Sequence, residues 1–293
     1  MTLDQTDGQY LFPHTWEGEG DRLSALASAF DPITRRHLTA VGVGDGWRCL
    51  EVGAGTGTIA EWLSELVGPK GRVLATDVSL ALMEQRGLAA DNLELLRHDI
   101  LADPLPDGEF DLVHSRLVLE HLPGRLDALA RMVKALAPGG WLVIEDMTFG
   151  TEKAGSRRGA ALIGGLVQTL KVLLQRNGWD GAFGRRLPVH FHRLGLADIA
   201  AEGTQLVLIG GTPSVDWAKP TFARLRHMLF DDSAVCPGPL QKAFSAAPAL
   251  RQGAQRRIDQ LERLLADPEF VYLAPTCVSA WGRRPLVSPP AGP

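Results

Sequence analysis

The stretch "RCLEVGAGTGTIAEWL", residues 48 to 63, constrains this chain more than any other. Its first five residues read as a buried strand, and after Gly57 the apolar residues Ile59, Trp62, Leu63 and Leu66 recur at helical spacing. Between strand and helix, Gly53, Gly55 and Gly57 supply a turn that can take positive φ and has no Cβ to hold a ligand away from the main chain. The start of a helix adds unpaired N–H groups and the positive end of a dipole, so the turn is expected to hold something anionic or rich in acceptors. On these residues alone, a tight strand-to-helix turn with no ligand is the alternative.

The same alternation continues. Strands are expected at "RVLAT" (72 to 76), "LELLR" (93 to 97), "FDLVHS" (110 to 115) and "WLVIED" (141 to 146), with helices around Leu80 to Leu88 and through Leu126, Leu129, Met132, Val133 and Leu136 up to a "PGG" stop. Strands separated by helices predict a parallel sheet covered on both faces, with ligands bound beyond the carboxyl ends of the strands. Further on, "DIAAEGTQLVLIG" (198 to 210) and "FVYLAPTCVSAWG" (270 to 282) read as strands, the last interrupted at Pro275. Ahead of the first strand, a short helix through Leu23, Leu26 and Phe30 is expected to give way to a second one, with Asp31 as N-cap and Pro32 in its first turn.

This divides the chain into a helical N-terminal cover (1–45), a core (46–149 and 184–284), a helical insertion (150–183) and a flexible tail (285–293). The cover carries Tyr10 and Trp16 among glycines, as a mobile lid would. Those two residues, and Asp146 at the end of the fifth strand, are expected to face substrate or close over it.

Composition narrows the partners. With 45% hydrophobic and 22% charged residues the chain has an ordinary globular balance, and its net charge of -4 supplies no polycation for nucleic acid. A polar, acidic start without an apolar run is unlike a signal peptide, and Cys49, Cys236 and Cys277 fit neither a disulfide framework nor metal-ligand spacing. A cytoplasmic protein with no structural metal is expected. "ALIGGLVQTLKVLLQ" (161 to 175) is too short to span a bilayer and reads as a packed or homodimer-interface helix.

Four strand ends carry chemistry. Glu51 precedes the glycine turn; Asp77 ends the second strand, where a carboxylate can accept from both hydroxyls of a ribose or cap the next helix. Asp99 follows the third strand, with Ile100 beside it to pack on an adenine, though a loop carboxylate is equally compatible. "VHSRLVLEHLP" (113 to 123) follows the fourth and would face the reactive end of a ligand.

Through "LEVGAGTG", "ATDVS", "RHDI", "FDLVHSRLVLEHL" and "LAPGGWLVIED" the chain resembles the class I S-adenosylmethionine-dependent methyltransferases, in particular their bacterial small-molecule group. The resemblance is strong over about residues 48 to 146 and looser at the flanks. It implies a Rossmann-like, mostly parallel α/β sheet of seven strands with the last antiparallel, S-adenosylmethionine as cofactor and S-adenosylhomocysteine as product. By that resemblance Glu51, Gly53, Ala54, Gly55 and Gly57 surround the methionine part, Asp77 with Val78 holds the ribose side, Asp99 and Ile100 flank the adenine, and Ser115 and Arg116 complete the cofactor's surroundings.

A nicotinamide enzyme shares the strand, turn and distal acid, but its fingerprint is G-x-G-x-x-G, whereas "GAGTG" alternates its glycines and suits a cofactor without a pyrophosphate. For an acceptor that must lose a proton, His121 is the first candidate base, with Glu120 and His114 behind it; a histidine that only packs or caps its helix is the competing reading of His121. No "[DN]PP[YF]" run follows the fourth strand, which argues against adenine or glutamine-amide acceptors. A small-molecule, partly apolar or aromatic acceptor of natural-product metabolism is expected, and a cofactor-binding cyclase or scaffold of the same fold is the alternative.

Overall fold

The computed structural model describes residues 18–155, 157–176, 178–230 and 248–286. Within them the elements run α1 (Glu19–Ala40), β1 (Arg48–Val52), α2 (Thr58–Val67), β2 (Arg72–Asp77), α3 (Ala81–Gln85), β3 (Leu93–Arg97), β4 (Phe110–Arg116), α4 (Arg125–Ala135), β5 (Leu136–Thr148), β6 (Lys153–Ala154), α5 (Arg157–Arg176), α6 (Leu187–Arg193), β7 (Ala197–Ile209), α7 (Lys219–Phe230), α8 (Pro248–Leu265) and β8 (Val271–Arg283). Tyr10, Trp16, Cys236 and most of the expected tail lie outside the described residues.

The chain forms two compact units. The larger comprises Ala29–Phe149, Trp179–Thr204 and the chain from Thr276; the smaller holds Gly150–Gly178 and Gln205–Pro275 with the chain up to Ser28. In the larger unit the strands lie in the order β3-β2-β1-β4-β5-β8, with β7 also pairing β8. The first five are mutually parallel, and β8 runs antiparallel to β5, Thr276 to Arg283 facing Thr148 to Trp141. The order reverses between β1 and β4, which places the topological switch point at their carboxyl ends.

The period of two along these strands sorts their side chains between two cores. Leu50, Val52, Val113, Leu142 and Ile144 join Ala128, Leu129 and Met132 of α4 and Leu187 and Phe191 of α6. Cys49, Val73, Ala75, Leu112 and Val143 join Leu38 of α1, Ile59, Leu63 and Val67 of α2 and Met83 of α3. Each buried aliphatic side chain contributes about 1.5–3 kcal/mol, and β1, enclosed on both faces, is buried without a break from Cys49 to Val52, Glu51 included.

The smaller unit has its own core, in which Ile163 of α5, Leu225 of α7, Ile258 and Leu261 of α8 and Leu208 meet Phe270 and Tyr272. Its short β6 pairs antiparallel with the start of β8, Lys153 opposite Leu273 and Ala154 opposite Tyr272. Among the described residues no helix is long and apolar enough to cross a membrane.

The seven expected strands are present and β6 is an eighth. Three local expectations are corrected. The two N-terminal helices are one, α1, with Pro32 inside it; proline removes one helical hydrogen bond but does not stop a helix whose flanks are packed. Asp31 therefore caps nothing, and its carboxylate bonds Arg116 instead. Pro275 does not interrupt β8, because it falls between the segment paired with β6 and the segment paired with β5, where a missing N–H is tolerated. "PGG" does not precede β5 but lies inside it, the register with β4 shifting between Phe110 and Leu112 to accommodate the glycines.

Candidate active site

The glycine turn is left-handed at all three glycines, with φ of 73° at Gly53, 57° at Gly55 and 77° at Gly57. Gly53 is glycine for a second reason: a Cβ there would come within 2.3 Å of Val118 Cγ2. The segment after β4 thus lies directly against the turn after β1, across the switch point.

Most of the turn's amides are already used. Gly53 and Ala54 donate to the Thr76 carbonyl at 2.8 and 3.0 Å, Gly57 donates to Ala54 at 2.8 Å, and Gly55 donates to Asp77 Oδ2 at 2.9 Å. This corrects the expectation of an anion held by open turn amides, because what the turn presents beside those spent donors is carboxylate. Glu51 and Asp77 flank it, and such a donor and acceptor set fits a cofactor that brings cationic groups and ribose hydroxyls and does not fit a pyrophosphate. The first amides of α2 remain the helix end's own contribution.

Asp77 is 7% exposed and also accepts from the Ser79 amide at 3.1 Å through Oδ1. It is not the cap of α3, whose N-cap is Leu80 with no side-chain bond. Val78 beside it is 48% exposed, an apolar surface next to a carboxylate. Asp99 is half-buried and accepts from the Leu101 amide at 2.8 Å, with Ile100 buried alongside. Ser115 donates to the Val52 carbonyl at 2.9 Å, tying β4 to β1. Arg116 turns away from the turn to Thr34 Oγ1 and Asp31 Oδ1 on α1, each at 2.7 Å.

On the α1 face of the sheet, Glu51, His114 and Glu145 occupy neighbouring strands. His114 is fully buried, with Nδ1 2.6 Å from Glu51 Oε2 and Nε2 3.6 Å from Glu145 Oε2. Burial alone would push His114 down, but the two facing carboxylates more than reverse this and raise it from 6.5 to about 9. Glu145 also accepts from Ser279 of β8 at 2.6 Å and from Thr34, and lies 3.0 Å from His37 Nδ1. Burial would raise its carboxyl, but His114, His37 and Arg116 hold it well below the usual carboxylate range. His114 is thus a held imidazolium with no exposed face. Glu145, Ser279, Thr34 and His37 were not singled out in the sequence; an acidic pair closing an otherwise apolar strand, "WLVIED", was the available signal.

On the opposite face lies a second acidic group. Glu120, in a short 3-10 turn (Leu119–His121) after β4, accepts from the Met147 amide at 2.7 Å, and its Oε1 is 3.3 Å from His121 Nε2. Burial pushes Glu120 up to about 7, held back by the Met147 amide, the Trp179 indole and Arg125. Asp146 is fully buried and pushed well above its usual range, by burial first and by the Glu120 charge second. Leu117, which begins this segment, has a φ of 56°, a conformation non-glycine residues rarely hold without purpose. The structure therefore brings His121, Glu120 and Asp146 together and sets His114 apart from them.

A fold with its switch point at a glycine turn, a carboxylate after β2 and a polar segment after β4 defines a Rossmann-like cofactor-binding protein. Residues 50–144 match the family described as a methyltransferase domain. A ubiquinone/menaquinone biosynthesis C-methyltransferase, UbiE, of Pseudomonas putida (strain W619) is 33% identical over 185 residues, covering 53% of this chain and 72% of that one. Methyltransferase str3 of Strobilurus tenacellus is 30% identical over 172 residues, covering 58% of this chain, and the match spans 60% of that protein's length. In fold the chain is similar to the cyclase SpnF, with 17% identity, a TM-score of 0.52 and coverage of 89% of this chain and 82% of that one. The chain belongs to the class I S-adenosylmethionine-dependent methyltransferases.

Proposed function

We propose that the protein transfers the methyl group of S-adenosylmethionine to a small-molecule acceptor, in the cytoplasm and in natural-product metabolism. The observation that carries this reading is the turn whose amides are spent on Thr76 and Asp77 and whose flanks are the carboxylates of Glu51 and Asp77. Glu51, Gly53, Ala54, Gly55 and Gly57 are assigned to the methionine part, Asp77 and Val78 to the ribose side, and Asp99 and Ile100 to the adenine. For Ser115 and Arg116 the assignment narrows to the main chain, since their side chains are bonded to β1 and α1.

The sulfonium of the bound cofactor supplies an electrophilic methyl group. Holding the acceptor's nucleophile in line with it can contribute about 7–11 kcal/mol, whereas a positioned base adds about 10²–10⁴-fold in rate. Alignment is therefore the larger task, and the segment Leu117–His121 packed against Gly53 is suited to it. A small acceptor is supported by the likeness to a ubiquinone/menaquinone biosynthesis C-methyltransferase. The apolar residues Leu162, Ile163 and Val167, which in the sequence suggest a partly apolar acceptor or a dimer face, pack into the core of the smaller unit, so a partly apolar or aromatic acceptor and a homodimer rest on the sequence alone.

The test incubates the full chain with methyl-labelled S-adenosylmethionine and a panel of phenolic, aromatic, amine and thioether acceptors. Labelled product from at least one is expected. Tight cofactor binding with no labelled product from any member would favour the second reading, a cofactor-holding cyclase or scaffold, which the fold-level likeness to SpnF brings to mind. Calorimetry showing binding of NAD and of neither sulfur nucleoside would sink both.

A further inference from the structure

Buried polar atoms almost always find a partner, yet on the α4 face of the sheet three do not. Among the described residues, both carboxyl oxygens of Asp146 and the indole Nε1 of Trp179 are enclosed with no well-formed hydrogen bond, although the indole lies near Glu120 and the Val118 and Glu120 amides lie near Asp146. Asp146 is 0% and Trp179 5% exposed, so water does not satisfy them from outside. Glu120 lies among them at 4% exposure, with one oxygen on the Met147 amide and the other toward His121. All belong to segments at the carboxyl ends of β4 and β5 or packed against them, next to the switch point.

We propose that Asp146, Trp179 and Glu120 form the subsite that receives the proton-bearing group of the methyl acceptor, a hydroxyl or a primary or secondary amine, and that Glu120 takes its proton. This rests on the methyl-transfer reading above and narrows its substrate class. The unpartnered atoms are complementary to such a group. Trp179 donates only, a protonated Asp146 donates and accepts, and an ionised Glu120 accepts, so a group with both a hydrogen and a lone pair satisfies them together. A thioether or tertiary amine would bring no hydrogen and leave them unpaired.

Among the described residues, several groups face Glu120. They are His121 on its own segment, Arg125 from α4, Asp146 and the Met147 amide from β5, and Trp179 and Asp180 from the segment that follows α5. Arg125 is drawn to Asp180 at 3.0 Å. Burial in this setting leaves Glu120 near 7, where a base works best at neutral pH, and pushes Asp146 well above its usual range, toward its protonated form.

The step balances. The acceptor's O–H or N–H bond breaks and its hydrogen goes to Glu120 Oε1; the nucleophile's electron pair forms the new bond to the methyl carbon; the carbon–sulfur bond breaks with its pair staying on sulfur. His121, whose side chain is 14% exposed, gives the proton a way out to solvent.

The test combines the labelled panel with infrared spectra of the wild type, Glu120→Gln and Asp146→Asn. Product is expected from a phenol, hydroxyl or amine and not from the thioether, with log kcat rising to a plateau near pH 7. Glu120→Gln should lower kcat about 10²–10⁴-fold and leave the Kd for S-adenosylhomocysteine unchanged. Asp146→Asn should raise the acceptor KM roughly tenfold, keep the pH limb, and remove a protonated-carboxyl stretch seen in the wild type at pH 7. Product with Glu120→Gln within tenfold of wild type, or a wild type without that stretch, would overturn the subsite alone, as would a trapped water filling the cluster with no effect of either variant. Absence of product from every acceptor would instead overturn the methyl-transfer reading, and the subsite with it.

Discussion

His114 Nδ1 lies 2.6 Å from Glu51 Oε2, sealed inside the sheet between β1, which leads into the glycine turn, and β4. The pair is a structural clamp on Glu51, two residues before Gly53, and it has a pH signature. His114 is raised from 6.5 to about 9. A histidine with a raised folded pKa contributes stability that is complete below its unfolded value, about 6.5, and is lost as pH climbs through about 9. Urea unfolding should show stability falling between pH 7 and 9.5. The His114→Asn variant should be less stable at pH 7 by about 3–5 kcal/mol, the cost of removing one partner from a buried pair, and should lose most of that slope. An equal slope in both proteins would move the titration elsewhere.

Glu145 gives the mirror image on the acid side. Its folded pKa is depressed by His114, His37 and Arg116 against the effect of burial, so its contribution is present above the ordinary glutamate range, about 4.3, and is lost as pH falls toward its folded value. Glu145→Gln should therefore flatten the acid limb of the stability curve and leave the limb above pH 7 in place. A variant whose acid limb matches the wild type would show that other carboxylates set it.

Gly53 and Val118 permit a cleaner test of how the turn after β1 and the segment after β4 depend on each other. Gly53→Ala forces a left-handed residue, worth about 1–2 kcal/mol of strain, and drives a methyl group to within 2.3 Å of Val118 Cγ2. Val118→Ala alone removes that neighbour. The double variant should recover part of the stability and cofactor affinity lost by Gly53→Ala, leaving the φ strain as the remainder. Strict additivity in a double-mutant cycle would mean the two residues do not meet.

What could be read from the sequence follows from locality. The strands, α2 and α4 announce themselves because apolar periodicity and glycine turns are local, and the same holds for the glycines and Asp77. What escaped depends on contacts between distant positions. Glu145 is satisfied by Thr34, His37 and Ser279, residues more than a hundred positions away, and nothing near Glu145 foretells them. The spent amides of Gly53, Ala54 and Gly55 are likewise a property of β2 lying beside β1, so the turn read in isolation looked open to an anion. Pro32 and Asp31 gave a local stop signal that packing and the bond to Arg116 override.

Asp77 serves two partners at once, the Gly55 amide at 2.9 Å and the Ser79 amide at 3.1 Å. Asp77→Ala should weaken S-adenosylmethionine binding by about 1.5–3 kcal/mol, as expected for hydrogen bonds to a charged group, and should also lower the melting temperature because the turn loses its anchor. Calorimetric titration beside a thermal melt separates the two. A lowered melting point with unchanged affinity would leave Asp77 a turn residue only.

His121 decides where the proton goes first. Its Nε2 is 3.3 Å from Glu120 Oε1, and the His121 side chain reaches 14% exposure, whereas the Glu120 side chain is 5% exposed. If Glu120 takes the proton and His121 only passes it outward, His121→Ala should cost less than about tenfold in turnover, because buffer can collect a proton from a glutamate poised near neutrality. Were His121 itself the base, the same change would cost about 10²–10⁴-fold with cofactor affinity preserved. A thermal melt must accompany the kinetics, since removing a half-buried partner of Glu120 can destabilise the 3-10 turn and imitate a catalytic loss. The expected outcome is the small one, with cofactor affinity unchanged and the pH limb of the wild type retained. A large loss at an unchanged melting temperature would transfer the base from Glu120 to His121.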